Sequence, residues 1–466
     1  MSHHKFNINR RKFLSQASCA ATGSTTLFNT LLNLKAMNAA AISNSSTIIS
    51  GDYKALVCLT FAGGNDSFNM LMPTDTNEYN DYATTRSNLA IPEADILALS
   101  GTDHGIHPAL TDLRDLYDDG KLAFMSNVGT LIEPTTKTQF YDESVDLPLG
   151  LYSHSDQSQQ WQTSVPHDRT NIGWGGKVAD LVNSMNTNEN ISMNVSLNGV
   201  NTFQRGLDTV EYAIDAYDGS IGIIGYDGNN GLELAKKFAT DNMIEASYAD
   251  AFKQTYIDVI KVSRDAHIEF SAAIDGVAPF STVTFSDTDL SQSFHMIAKT
   301  IAAKDTLNFE RQIFFVEIGG FDMHDELLAS HDSKMKIVND ALFEFQQALE
   351  EINMDDCVTT FTMSEFSRTL TSNGNGTDHA WGANVIMMGG AVNGGSLYGT
   401  YPNLALDNSI ELGGGVLIPD ISTDEYFAEM ALWFGVNASD LSTIFPNIGN
   451  FYDTSSGVMT YGFLNL

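Results

Sequence analysis

Short apolar runs recur along the chain after residue 52, and longer segments with helical spacing separate them. The first run, 55–61, is apolar almost throughout, which is typical of a strand buried on both faces. Similar runs follow at 121–125, 312–318, 358–363 and 384–388. Buried strands that alternate with helices form parallel sheets. The pattern therefore predicts an α/β fold with a doubly wound, mostly parallel sheet and helices on both faces.

Two helical segments stand out between these runs. Spacings of 4, 3, 4 and 3 predict an amphipathic helix that crosses over the sheet, with a face formed by Val338, Leu342, Phe345, Leu349 and Ile352. A second helical stretch, at about 232–274, places five residues on one stripe: Ala249, Phe252, Tyr256, Val259 and Ile260. Residues 186–231 are rich in Asn, Gly and Asp, which predicts loops with a few short strands. We interpret residues 42–466 as one elaborated domain, with the elaboration at about 186–280.

The N-terminal 41 residues have a different character. Arg10 and Arg11 precede an apolar pair and a mildly apolar stretch, which ends in three alanines at 39–41. This arrangement predicts a twin-arginine-type export signal over residues 1–41, and hence a periplasmic or extracellular protein. Threonine and serine interrupt the stretch, so no stable membrane insertion is expected. The alternative is a basic tail without an export role.

The charge balance narrows the function classes. The chain has 24 Lys and Arg against 58 Asp and Glu, a net charge of −34, and the five basic residues before residue 42 have no acid among them. Without that segment the net charge is −39, which repels phosphate backbones and argues against nucleic acid as a partner. The three cysteines, Cys19, Cys58 and Cys357, are too few for a disulfide framework. For the last two, buried thiols are favoured over a bridge.

Candidate ligating side chains cluster where the predicted strands end. Ligands of parallel sheets collect beyond the carboxyl ends of strands. Three strand ends offer Asp66, Glu317, Asp322, His324 and Glu365, and the segment that precedes the last strand adds Asp378 and His379. Carboxylate and imidazole are ligands of zinc, manganese and magnesium, so the sequence predicts a divalent metal site. Each residue also has a structural alternative: Asp66 as a helix cap, Asp378 in a turn, His324 on the surface.

A further segment, 151–163, places Ser153 and His154 at a predicted helix start. Free backbone N–H groups there favour an anion and an activated nucleophile. The alternative is that Ser153 caps the helix and Trp161 packs in the core. The chain has no Gly-x-Ser-x-Gly elbow and no phosphate-binding Gly-x-x-x-x-Gly-Lys loop, which argues against α/β-hydrolases and P-loop enzymes.

Five segments, taken in order, carry a family resemblance: LVCLTFAGGNDSFNMLMP, YSHSDQSQQWQT, FFVEIGGFDMHDE, TMSEFSRT and NGTDHAWGANVIMMGGAV. They resemble the exported bacterial proteins grouped as domain of unknown function 1501, from about residue 52 to the C-terminus. That family in turn resembles a divergent branch of the alkaline phosphatase and sulfatase superfamily. The resemblance implies an alkaline-phosphatase-like fold and hydrolysis of phosphate or sulfate esters with one or two metal ions.

The resemblance also assigns roles to residues. It implies that Asn65 or Asp66, together with Glu317, Asp322, His324, Glu365 and His379, stands at metal-ligand positions, and that Ser153, His154 or Ser155 stands at the nucleophile position. Glu365 is followed by Phe366 where the superfamily has a histidine, so one ion is expected rather than two, and Arg368 is expected to supply positive charge. The predicted function is an exported metal-dependent hydrolase of phosphate or sulfate esters, with Ser153, His154 or water at the ion as the attacking group. The alternative is an inactive exported binding or scaffold protein. The expected partner is a small anionic ester or an exported protein.

Overall fold

The computed structural model describes residues 53–223, 226, 230–454 and 461–465. Its strands, in chain order, are β1 (Lys54–Ala62), β2 (Leu71–Pro73), β3 (Leu97–Ala98), β4 (His104–Ile106), β5 (Leu122–Gly129), β6 (Asn194–Ser196), β7 (Tyr212–Ala213), β8 (Arg311–Gly319), β9 (Val358–Ser364), β10 (Ala383–Met388), β11 (Leu397–Tyr398) and β12 (Ile421–Ser422). The five predicted runs thus coincide with β1, β5, β8, β9 and β10.

Nine of these strands form a central sheet within the described residues. Their order is β11-β5-β10-β9-β1-β8-β6-β7, and β12 pairs with β5. Strand β10 runs antiparallel to both of its neighbours, whereas the other pairs are parallel. The remaining three strands form a small antiparallel sheet in the order β2-β4-β3. The mostly parallel sheet is as predicted.

The helices lie mainly between the strands. They are α1 (Ser67–Met70), α2 (Thr76–Arg86), α3 (Thr111–Asp118), α4 (Lys137–Asp142), α5 (His154–Thr163), α6 (Trp174–Val182), α7 (Gly231–Ile244), α8 (Ala251–Asp275), α9 (Asp289–Ala302), α10 (Lys304–Leu307), α11 (Leu327–Glu351), α12 (Thr423–Phe434) and α13 (Leu441–Ile444). Several start at a capping side chain that accepts a hydrogen bond from the first turn, as Asp75, Ser153, Thr288 and Ser422 do.

Helices cover both faces of the sheet. Every residue of β5, β9 and β10 is buried, and successive residues of a strand point to opposite faces. One group of helices contains α9 and α11, where the rings of Phe294 and Phe345 pack 4.9 Å apart. The other contains α6 and α12, where Trp174 stacks on Phe427 at 4.5 Å. The predicted α/β fold is therefore confirmed.

The two helical patterns have different outcomes. Residues 338, 342, 345 and 349 are buried in α11, as the spacing predicts. The predicted stripe around residue 256 is not buried: Phe252 is 89% exposed and Tyr256 is 66% exposed. Helix α8 instead buries a different set, Ile257, Ala266, Phe270, Ala273 and Ile274. It pairs with α7 through Arg264, whose guanidinium lies 3.2 Å from both Asp241 and Glu245.

Two further sequence predictions concern the chain ends and the cysteines. The predicted export signal lies outside the described residues. Within the described residues, no helix is both long and apolar enough to cross a membrane. Cys58 is buried and Cys357 half-buried, and neither forms a disulfide.

Candidate metal centre

Strand register brings three chain segments together at the carboxyl edge of the sheet. In parallel pairing, β1 places Ala62 opposite Gly319 of β8, and Phe61 opposite Ser364 of β9. Asp322 and Glu365 follow these strand ends directly. The backbone of Gly63 has φ +119°, and a Cβ there would overlap the backbone nitrogen of Asp322. Glycine therefore permits the close approach that sets Asp322 beside the end of β1.

Three side chains converge at this edge. His154, at the start of α5, Asp322 and His379 each offer one ligand atom, and these atoms all lie within 4.8 Å of one another. Nε2 of His154 is 3.5 Å from Oδ2 of Asp322, and Nε2 of His379 is 3.2 Å from Oδ1 of Asp322. Ligand atoms on a tetrahedral ion at about 2.0–2.1 Å are separated by about 3.3 Å. The distance from each imidazole to the carboxylate is close to this separation, so these three residues could hold a divalent ion.

Hydrogen bonds on the far side of each imidazole fix its orientation. Nδ1 of His154 lies 2.8 Å from Oε1 of Glu365, and Nδ1 of His379 lies 2.8 Å from the carbonyl oxygen of Tyr152. Both partners are acceptors, so each Nδ1 donates and each Nε2 is directed at Asp322. In the neutral imidazole this Nε2 is the atom that can bind a cation. This donor set therefore fits a divalent ion, and Glu365 takes the orienting role found behind metal-bound histidines.

Arg368 shapes the electrostatics of Asp322. Its buried guanidinium donates to Oδ1 of Asp322 at 2.7 Å and to the carbonyl of Gly63 at 3.3 Å, and Thr377 holds its other side. Partial burial opposes ionisation of Asp322, but the hydrogen bond and charge of Arg368, aided by His324 and His154, lower its pKa. Arg368 therefore keeps Asp322 ionised and in place.

His324 lies at the open side of the group. Its Nε2 is 3.0 Å from Oδ1 of Asp322 and 3.1 Å from Nε2 of His379, and its Nδ1 is 3.2 Å from Oδ1 of Asp378. Gly376 permits this approach, because a Cβ there would overlap the backbone of His324. The structure thus brings His324 and Asp378 to the centre, where Asp378 contacts the imidazole of His324.

Two predicted ligands are not brought to the group. Asp66 is buried and forms an ion pair with Arg86. Burial raises the pKa of Asp66 although Arg86 opposes the shift. Glu317 is one of the exposed residues of β8. Partial burial of its carboxylate and the neighbouring charge of Glu365 raise its pKa. The alternative Asn65 is also turned away, because its Oδ1 lies 3.0 Å from Nε2 of buried His331.

Ser153 caps helix α5, which is one of the two roles that the sequence analysis considered for it. Its hydroxyl accepts from the backbone N–H of Asp156 at 3.5 Å and lies 3.2 Å from Oγ of Ser155. Within the part of the chain that the structure describes, no hydrogen bond joins a serine or threonine hydroxyl to His154, Asp322 or His379. Trp161 is buried, as the structural alternative required.

Two contributors to the centre were not predicted from the sequence. The carbonyl of Tyr152 orients His379, but a main-chain acceptor has no signature in a sequence. Phe366 stacks on His379 with ring centroids 4.6 Å apart. Its place directly after Glu365 was visible, but it was interpreted only as the absence of a histidine.

The fold and the centre define an α/β protein with a histidine and carboxylate site at the carboxyl edge of its sheet. Residues 53–413 match the family described as a protein of unknown function, DUF1501, and the chain belongs to this family. The predicted family resemblance is thereby confirmed. No curated protein matches the chain.

Solved structures show a distant likeness. The crystal structure of Ps i-CgsB is 11% identical with a TM-score of 0.35, and its complex with k-i-k-neocarrahexaose is 11% identical with a TM-score of 0.32; both alignments cover 82% of this chain and 72% of the other. The lipoteichoic acid synthase LtaP from Listeria monocytogenes is 8% identical with a TM-score of 0.28, covering 84% of this chain and 80% of that one.

Proposed function

We propose that the protein is an exported, metal-dependent hydrolase of small phosphate or sulfate esters. One observation carries the proposal: the Nε2 atoms of two imidazoles and the carboxylate of Asp322 lie close together, and each imidazole is oriented by a hydrogen-bond partner at its Nδ1. The order of the five motifs, which resembles the alkaline phosphatase and sulfatase superfamily, supports the ester class.

His154, Asp322 and His379 would hold the ion. A divalent ion there supplies Lewis-acid polarisation of an ester oxygen. A catalytic site keeps one ligand position open, and His324 lies at that side. We therefore assign His324, oriented by Asp378, to proton transfer from an attacking water molecule. This differs from the sequence-based hypothesis, which gave His324 to the ion and the attack to His154 or Ser153.

Arg368 is a positioning residue in this scheme. Its guanidinium is fully buried and contacts Asp322, Gly63 and Thr377. It holds the carboxylate toward the imidazoles, and we assign it this role instead of the direct stabilisation of charge on the ester that the sequence suggested.

The second candidate function is an exported binding protein without catalysis. The capping role of Ser153 favours it, because the position that resembles the nucleophile of the superfamily holds a hydroxyl committed to the helix. The two functions share a metal site and differ in turnover.

The test is hydrolysis of 4-nitrophenyl phosphate and 4-nitrophenyl sulfate by chelator-stripped protein, with and without added zinc, manganese or magnesium. The hydrolase requires turnover that depends on metal and disappears in Asp322→Asn. His324→Ala should keep the metal but lose at least about a hundredfold in rate, the lower end for a general base. Metal binding without turnover of either ester supports the binding protein instead.

A further inference from the structure

Exposed apolar side chains are concentrated in one part of the protein. In the described part of the chain, 19 large apolar side chains are exposed, and 15 of them lie between residues 200 and 268. Helices α7 and α8 carry nine of these 15. Single exposed apolar side chains are normal, whereas a concentration of them marks an interaction site.

One face of α8 is buried at one end of the helix and exposed at the other. Spacings of 4 and 3 place seven residues on this face: Phe252, Tyr256, Val259, Ser263, Ala266, Phe270 and Ala273. The last three are buried, and Phe270 packs on Tyr212 of β7. The first four are exposed, Phe252 by 89%, Tyr256 by 66% and Val259 by 62%, and we call these four the α8 seam. The face that packs on the body thus continues for about 17 Å without a cover.

Capping and ion pairs hold α7 and α8 together without covering the seam. A capping box at Asn230 starts α7, and Asp250 caps α8. Lys261 and Arg264 of α8 pair with Glu245 at 2.8 Å and 3.2 Å. At about 100° per residue, both basic residues lie on the other side of α8 from the seam. The contact between the two helices therefore leaves the seam exposed.

The α8 seam has no acidic neighbour although the protein is strongly acidic. Helical geometry places Thr255, Ile260 and Val262 beside the seam and Lys253 at its edge. The helical hairpin 231–264 has five basic and five acidic residues, whereas the whole chain after residue 41 carries −39. Two copies of the chain can therefore meet at the hairpin without net repulsion between the surfaces in contact.

The exposed area of the seam suits a reversible pair of helices. Aromatic side chains bury about 150–250 Å² each, so Phe252 and Tyr256, at their exposed fractions, offer about 300 Å². With the residues beside it the seam offers about 500 Å², and two copies would bury about 1,000 Å² in total, the lower end for specific interfaces. A pair of this size is expected to dissociate at micromolar concentrations.

We propose that α8 pairs with α8 of a second copy of this chain through the seam, antiparallel and about a two-fold axis. Spacings of 4 and 3 are the pattern by which two helices interdigitate, and a two-fold pair needs only the same surface on both copies. The seam has no acidic residue that would select a basic partner protein, and the acidic body disfavours an anionic membrane.

The charge of the body selects the antiparallel direction. Antiparallel pairing of the seams places the two acidic bodies at opposite ends of the paired segment. This segment is about 17 Å long, which exceeds the Debye length of about 8 Å at physiological ionic strength. Parallel pairing would instead place the bodies side by side.

Sedimentation velocity of the full-length protein over about 1–100 µM, at about 0.05 M and 0.5 M NaCl, tests the inference. We expect a monomer–dimer equilibrium with a micromolar Kd that falls as salt rises. Phe252→Ser with Tyr256→Ser should raise the Kd at least about tenfold, because aromatic side chains dominate such contacts. Phe238→Ser is the matched control: this side chain is 72% exposed on α7, outside the seam, and its loss should change the Kd by less than about twofold.

A protein that stays monomeric throughout this range, or a dimer that both variants weaken equally, would overturn the inference. Binding of a monomer to phosphatidylcholine–phosphatidylglycerol vesicles that the double variant loses would assign the seam to a lipid surface instead. If the double variant melts below the parent, Val259→Glu alone should also raise the Kd at least about tenfold.

Oxidative cross-linking tests the direction of the pair. Antiparallel pairing sets residue 252 opposite residue 263 of the second copy, so Phe252→Cys with Ser263→Cys should give a disulfide-linked dimer. Ser263→Cys alone should stay monomeric on a non-reducing gel. A linked dimer of Ser263→Cys alone would contradict antiparallel pairing.

Discussion

Glu365 should set the metal affinity of the centre without touching the ion. Its Oε1 accepts two hydrogen bonds, from Nδ1 of His154 and from the backbone N–H of Gly63, each at 2.8 Å. These bonds hold the imidazole so that Nε2 faces Asp322, and the negative charge of Glu365 makes that Nε2 a stronger donor to a cation.

The loss of metal affinity expected for each variant of Glu365 follows from the interactions that the substitution removes. Glutamine retains an oxygen that can accept both hydrogen bonds, so Glu365→Gln removes only the charge. Alanine removes the charge and both bonds, and it leaves the N–H of Gly63 without its acceptor. Loss of such an orienting partner costs 10-fold to 100-fold in metal affinity, about 1.4–2.8 kcal/mol. We expect Glu365→Gln near the lower figure and Glu365→Ala near the upper one.

The assay is competition for zinc against a chromophoric chelator at pH 7.5, with metal content measured by mass spectrometry. Glu317→Gln is the matched control, because Glu317 interacts with Glu365 only through charge and contacts neither imidazole. We expect it to change zinc affinity by less than about threefold, well below the effect of losing an orienting partner. Parent-like zinc affinity in Glu365→Ala would refute the proposed orientation of His154.

Three further predictions follow from individual residues. Ser153→Ala should lower the free energy of unfolding by about 1 kcal/mol, because a helix cap is lost, and should keep its metal, whereas His154→Ala should lose the metal. Metal analysis and thermal melting measure both effects, and metal loss in Ser153→Ala would contradict the capping assignment. Burial lowers the pKa of His107 to about 4. Between about pH 6.5 and pH 4 the unfolded state therefore binds a proton that the folded state does not bind. The free energy of unfolding should therefore fall by about 3 kcal/mol from pH 6.5 to 4, and His107→Asn should flatten this dependence in urea titrations with chelator present; an equal slope in the variant would exclude His107 as the cause. Arg10→Lys with Arg11→Lys should leave the precursor in the cytoplasm, and cell fractionation that shows unchanged export would contradict the twin-arginine prediction.

The sheet was predictable because its strands are buried on both faces. Continuous apolar runs such as 55–61 and 312–318 have few other stable solutions in a chain of this length, and the buried face of α11 followed from its spacing. The stripe at Phe252 shows the limit of this reasoning. Periodicity shows that apolar side chains share one face of a helix, but it does not show whether anything covers that face.

The chemistry of the centre was predictable as a set of residue types, but the role of each member was not. Strand ends share an edge, so carboxylates and histidines after successive strands were expected to meet, and Asp322, His324, Glu365 and His379 do. Which side chains face the ion and which orient the imidazoles depends on side-chain positions that differ by a few ångströms. Those directions decide that Glu365 and Asp378 contact imidazoles, and no spacing in the sequence encodes them.

The contrast between Asp66 and Asp322 explains which strand-end carboxylate becomes part of a reactive site. Each contacts a fully buried arginine, Arg86 for Asp66 and Arg368 for Asp322. The side chain of Asp66 is 1% exposed, and Arg86 also donates to the carbonyl of Thr369, so this pair ties α2 to the segment after β9. The side chain of Asp322 is 44% exposed. Its Oδ1 accepts from Arg368 and also lies near His324 and His379, and its Oδ2 faces His154. Each arginine thus holds one carboxylate oxygen, so the exposure of Asp322 and the imidazoles around it, rather than the arginine, separate the carboxylate at the centre from the structural one.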